Sequence, residues 1–121
     1  MTAPILVAVG LAGGAGALAR FLIDGGVSSR LGREFPFGTL AVNLSGSFAL
    51  GVLAGATLHG DASRIAATGF LGGYTTFSTW VFESQRLGED GQLGLGGVNF
   101  IVSLVLGVLL AWAGRHAGSA L

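Results

Sequence analysis

The chain contains no cysteine and no lysine, and each absence closes off a group of functions. Without thiols there is no disulfide framework, no thiolate metal centre and no cysteine nucleophile. Without lysine, six arginines stand against six acidic residues, so the net charge is zero and nucleic-acid binding has no electrostatic support. Charged residues are only 10% of the 121, where a soluble domain carries roughly a quarter. Proline occurs twice, at positions 4 and 36, so nothing of that kind breaks the chain beyond its first third. His59 and His116 lack a third ligand at metal spacing, and no Ser-His-Asp or paired-carboxylate arrangement is present. The chain does not read as an enzyme.

What is present is hydrophobic. Apolar residues make up 51% of the sequence, and mean hydropathy is +0.75. Glycine occurs 23 times, which in so apolar a chain suits close-packed membrane helices better than a flexible linker. Met1-Thr2-Ala3-Pro4 places no basic segment ahead of the apolar run, so a cleaved signal is not expected. Four apolar segments follow: from near Pro4 to Ile23, from about Phe37 to Leu58, from about Ile65 to Phe82 and from about Gly96 to Ala113. Each is close to the roughly 20 residues a membrane helix needs. Polar pieces separate them at Asp24 to Phe35, His59 to Arg64 and Glu83 to Gly94, and Arg115 to Leu121 forms a short tail. The expected architecture is one all-α membrane domain, residues 1–121, with four transmembrane helices.

Helical spacing sorts the residues within these segments. Thr39, Asn43, Ser47, Gly51 and Gly55 recur every four residues and form one small, polar stripe. Asn99, Ser103 and Gly107 form a similar stripe in the last segment. Gly10 with Gly14, Gly51 with Gly55 and Gly69 with Gly73 share the GxxxG spacing that lets helix backbones approach. Gly14-Ala15-Gly16-Ala17-Leu18-Ala19 fits a dinucleotide fingerprint, but the alternating strands and charged helices of such a fold are missing, so it reads as packing glycine. A serine in such a stripe has a plain reading, a bond to its own helix. Asn43 differs: a primary amide at membrane depth needs partners, and such groups are usually functional. Arg20 either faces a cavity or snorkels to the headgroups from the end of its segment. Glu83 marks the end of the third segment.

Gly69 to Trp80, GFLGGYTTFSTW, crowds glycines, hydroxyls and aromatics into an apolar stretch. Irregular backbone at membrane depth persists only where it is buried in protein or lines a wet path, so this stretch is the expected transport site. Four crossings would put Arg64 and Arg115 on one side and Arg30, Arg33 and Arg86 on the other, with Arg20 added if it snorkels. So small a bias is a weak orientation signal and is compatible with insertion both ways.

Gly13 to Arg20, Phe37 to Phe48, and Gly69 to Trp80 with Glu83, in this order along a four-segment chain, resemble the CrcB/Fluc fluoride channels over essentially the whole length. The resemblance implies passive, fluoride-selective export that relieves fluoride toxicity, through a multi-pass protein of the inner (plasma) membrane. It implies an antiparallel, dual-topology homodimer with a third helix broken at the Gly-Gly-x-Thr-Thr stretch. It further implies a structural sodium ion at the dimer centre, held here by backbone carbonyls of Gly72 and Thr75. Fluoride would pass Asn43, Phe77, Ser78, Thr79, Trp80 and Ser103, with Arg20 and Glu83 in a vestibule or a structural role. Trp80 stands where the family pattern has phenylalanine; it keeps an electropositive ring edge and adds an indole N–H donor. Two other readings are a membrane-embedded assembly subunit without conduction and a small multidrug-type exporter. The second depends on a membrane glutamate, and no segment contains an acidic residue.

Overall fold

The structure is a computed structural model that describes residues 2–32, 34–56, 60–75 and 78–121, the side chains of residues 78, 79 and 82 excepted. Every regular element among the described residues is helical: α1 (Ala3–Leu31), α2 (Phe37–Gly55), α3 (Gly60–Ser63), a π-helix (Arg64–Leu71), α4 (Gly72–Tyr74), α5 (Ser78–Glu89) and α6 (Leu93–Ser119). Among the described residues, α1, α2 and α6 are long and apolar enough to cross a membrane.

The C-terminal ends of α1, α5 and α6 fall beyond the apolar segments, because hydropathy marks membrane depth and a helix stops only where its backbone is made to stop. α1 runs through Asp24 to Leu31, a stretch expected as a polar loop, and ends at Gly32. That glycine adopts φ 85° and its N–H bonds the Ser28 carbonyl at 2.9 Å. α5 likewise continues past Glu83 and ends in a Schellman motif at Gly91, φ 78°. There the Gln92 N–H reaches the Leu87 carbonyl at 2.8 Å and the Gly91 N–H the Gly88 carbonyl at 3.2 Å. The third apolar segment is the irregular one. Its π-helix leads into α4, Thr75 turns extended with φ −79° and ψ 157°, and helix resumes at Ser78.

Glycines set how the helices pair. A Cβ on Gly51 would lie 2.2 Å from the Ala111 carbonyl oxygen, and one on Gly55 2.0 Å from that of Arg115. Reciprocally, a Cβ on Gly114 would lie 2.1 Å from the Phe48 oxygen and one on Gly118 2.0 Å from that of Val52. Only glycine fits such approaches, and because both series ascend together, α2 and α6 run parallel. α1 is likewise parallel to the π-helix and α4, with Gly69 against Val9 and Gly73 against Gly13. α2 turns back antiparallel to α1, with Gly38 against Asp24, and α6 turns back antiparallel to α5, with Gly96 against Ser84.

Val42, Leu71 and Tyr74 form the buried centre, with Ala19, Ala49 and Leu53 packed on it. The outside is as apolar as the inside: Leu11, Leu18, Phe21, Val108, Leu109 and Trp112 are all exposed. Gly10 and Gly14 belong to this outer surface. A Cβ on either would have nothing within 4 Å, so their GxxxG spacing is not a helix contact among the described residues, and α1 packs through Gly13 and Gly16 instead.

Candidate functional site

The departure of Thr75 from helical geometry adjoins a cavity of about 490 Å³. Asn43 and Ser47 of α2, Gly72 of α4, Thr75, Trp80 of α5, and Ser103 and Gly107 of α6 face it, together with aliphatic residues such as Leu50, Leu71 and Val108. An apolar wall carrying a few convergent polar groups is the usual build of a small-ligand site.

Each polar group is placed by its element. The α2 stripe puts Asn43 and Ser47 one turn apart, and Ser47 approaches Gly107 across the cavity. Thr75 is tied back across α4 to the last residue of the π-helix, because its N–H and its hydroxyl both donate to the Leu71 carbonyl at 3.0 Å. Its methyl group packs so close to Gly46 that a Cβ there would lie 2.3 Å away. Beneath it, the Ser45 hydroxyl donates to the Val42 carbonyl at 3.0 Å, which leaves the Tyr74 hydroxyl as donor in the 2.9 Å contact between Tyr74 and Ser45. The interruption is thereby fixed to α2 through Tyr74 and Thr75.

The Ser103 hydroxyl oxygen is buried and has no hydrogen-bond partner among the described residues. A buried hydroxyl left without a partner costs about 1–3 kcal/mol. Arg20 is half-buried, its Nε is buried without a partner, and it makes no salt bridge among the described residues. Glu83 accepts a hydrogen bond from the Thr39 hydroxyl, which joins α5 to the upper end of the α2 stripe.

Of the residues the sequence singled out, Asn43, Gly72, Thr75, Trp80 and Ser103 share this one cavity. Phe77 lies outside the described residues, as do the side chains of Ser78 and Thr79, whose backbone opens α5. Arg20 and Glu83 do not line it. The Trp80 indole N–H, read from sequence as an extra donor, is engaged with the Asn99 carbonyl at 3.3 Å. Sequence reasoning missed the partnership of Ser84 with Asn99 and that of Thr39 with Glu83. Ser84 lies one turn beyond Trp80, but only the α5–α6 hairpin reveals what it meets. No group of three or more acidic or histidine side chains that could hold a metal ion exists among the described residues.

The family model described as "CrcB-like protein, Camphor Resistance (CrcB)" matches residues 7–115. The chain belongs to the CrcB-like family. It is 51% identical over 115 residues to "Fluoride-specific ion channel FluC 2" of Mycobacterium tuberculosis, covering 95% of this chain and 91% of that protein. It is 50% identical over 115 residues to the protein of the same name from Mycolicibacterium paratuberculosis, covering 95% and 94%. It is 42% identical over 117 residues to "Fluoride-specific ion channel FluC" of Geobacter sulfurreducens, covering 93% and 94%. These relatives are named as ion channels, which is a non-enzymatic activity. Like them, this CrcB-like chain is a channel-family, multi-pass protein of the inner membrane; among the described residues three helices are long and apolar enough to cross it.

Proposed function

We propose that this chain is a passive, fluoride-selective channel that lets fluoride leave the cell and so limits its toxicity. The single observation that carries the reading is that Asn43 and Ser103 line one cavity, the buried Ser103 hydroxyl having no partner among the described residues. Fluoride is small and strongly hydrated, so a pore must replace its water with donors. A hydroxyl and an amide NH2 supply them, and aromatic ring edges add positive potential. Phe77, Ser78 and Thr79 complete the proposed route alongside Asn43, Trp80 and Ser103. The names of the relatives support fluoride as the ion.

In the same reading, residues 60–89 make the fourth crossing as a broken third helix. Its pieces on both sides of Thr75 run in the direction of α1, which supports this. Two copies inserted antiparallel form the channel, a pairing that the even division of arginines permits. Where a helix stops, its last carbonyls lose their intrahelical donors. The turn that ends at Thr75 thus offers oxygen donors suited to a hard cation, and the backbone carbonyls of Gly72 and Thr75 would hold a structural sodium ion. Such an ion supplies positive charge between the two breaks and takes no part in transport.

Liposomes loaded with fluoride or with chloride test the function. Rapid fluoride efflux without a proton gradient, with chloride retained, is the expected result; fluoride retained as firmly as chloride rejects the reading. Exchanging sodium for a large organic cation during purification is expected to shift the dimer towards monomer, and an unaltered dimer would reject the cation site.

A further inference from the structure

Trp80 is held by a closed set of three hydrogen bonds that reaches across the α5–α6 hairpin. Its indole N–H donates to the Asn99 carbonyl at 3.3 Å. The Asn99 side-chain NH2 donates to the Ser84 hydroxyl oxygen at 2.7 Å. The Ser84 hydroxyl in turn donates to the Trp80 carbonyl at 2.9 Å. The donor and acceptor roles are consistent throughout: the amide NH2 can only donate, and the hydroxyl accepts once and donates once. Phe100 covers one face of the indole, with ring centroids 4.7 Å apart and planes 18° from parallel. Asn99 is 1% exposed and does not line the cavity, whereas Trp80 does.

We propose that Asn99 and Ser84 are positioning residues for Trp80, forming a clamp that holds the ring at the wall of the anion route with its N–H withdrawn from that route. This rests on the fluoride-channel reading and deepens it. With the N–H occupied and one face covered, Trp80 borders the cavity as hydrocarbon, and the donor beside it is the Ser103 hydroxyl one turn beyond Asn99 on α6. Ring position then becomes a determinant of selectivity. An anion meets an electropositive ring edge only if the ring cannot tilt to show its electronegative face. A loosened ring also widens the cavity, which relaxes discrimination against a larger halide.

Two details separate a clamp from general packing. Buried asparagine is costly unless its amide is satisfied, and here the amide is spent on the residue that fixes the Trp80 backbone. The close approach of α6 that makes this reach possible is itself provided by Gly96, where a Cβ would lie 2.7 Å from the Ser84 carbonyl oxygen.

The chain has two tryptophans, so Trp112→Phe leaves Trp80 as the sole indole for fluorescence. Trp112 is exposed on the outer face of α6 and does not line the cavity. In that parent, Ser84→Ala is expected to raise acrylamide quenching of Trp80 severalfold. It should also lower the fluoride-to-chloride flux ratio about tenfold, the effect of losing one buried hydrogen bond. Ser84→Thr, which keeps the hydroxyl, should restore both, and Asn99→Leu should reproduce the loss. A Ser84→Ala protein whose dimer elution, quenching and flux ratio all match the parent overturns the clamp. So does one that melts earlier with quenching and ratio intact, because that is a merely structural role. Absence of fluoride flux in the unaltered protein would sink the channel reading instead, and the quenching measurements would still decide whether Asn99 and Ser84 hold the ring.

Discussion

The stripe of α2 is uniform in sequence spacing and does two unlike things. At Gly51 and Gly55 it lies directly on the backbone of α6, and no side chain fits between. Two turns earlier, Asn43 and Ser47 face a cavity large enough for ions and water. The difference comes from what α6 presents. Opposite the second half it offers Gly114 and Gly118, so backbone meets backbone; opposite the first half it offers Ser103 and Gly107, with Trp80 and Thr75 beside them. A tight seam therefore anchors one end of the helix pair while the other end stands open. Small residues alone do not say whether a stripe is a seam or a wall, because the same spacing serves both.

The comparison can be broken most severely at the seam. Gly114→Leu should leave little folded protein, because the Phe48 carbonyl it would strike is helix backbone that cannot move aside; overpacking of this kind costs roughly 1–3 kcal/mol or more. Size-exclusion profiles in detergent would show it, and a monodisperse, normally melting variant would mean that the seam is looser than described. At the wall the expected loss is of function instead. Asn43→Asp removes a donor and sets a negative charge against an anion, and flux should fall about a hundredfold with the fold retained. A smaller effect tests the link between the open end and α5. Thr39→Val deletes the hydroxyl that bonds Glu83 and should cost about 1–2 kcal/mol, read as a lower melting temperature that Thr39→Ser does not produce. Least of all is expected from Gly97→Ala, where the added methyl meets nothing within 4 Å and stability should rise by roughly 0.4–1 kcal/mol.

Much of the site was legible because α2 is a regular helix: residues four apart share a face whatever surrounds them, so Asn43 and Ser47 could be grouped from spacing alone. Ser103 and Gly107 were grouped for the same reason. Helix ends were less legible. Asp24 to Leu31 is polar in composition yet helical, because nothing before Gly32 forces the backbone out of helix. The Gly10 and Gly14 pair shows the limit from the other side, since the right spacing was present but the face turned outward. Trp80 shows it again: its N–H was visible as a donor, while the carbonyl that takes it belongs to Asn99, 19 positions later.

The sequence by itself determined the membrane class, the apolar segments, the stripes and the location of the irregular stretch, since hydropathy and helical period are local properties. Only tertiary structure decided which glycines are contacts, what Trp80, Glu83 and Tyr74 bond to, and that Ser103 is left without a partner among the described residues. Those outcomes depend on which helix stands opposite and in what register. A one-dimensional period cannot encode that register, because it emerges from the joint packing of all the helices at once.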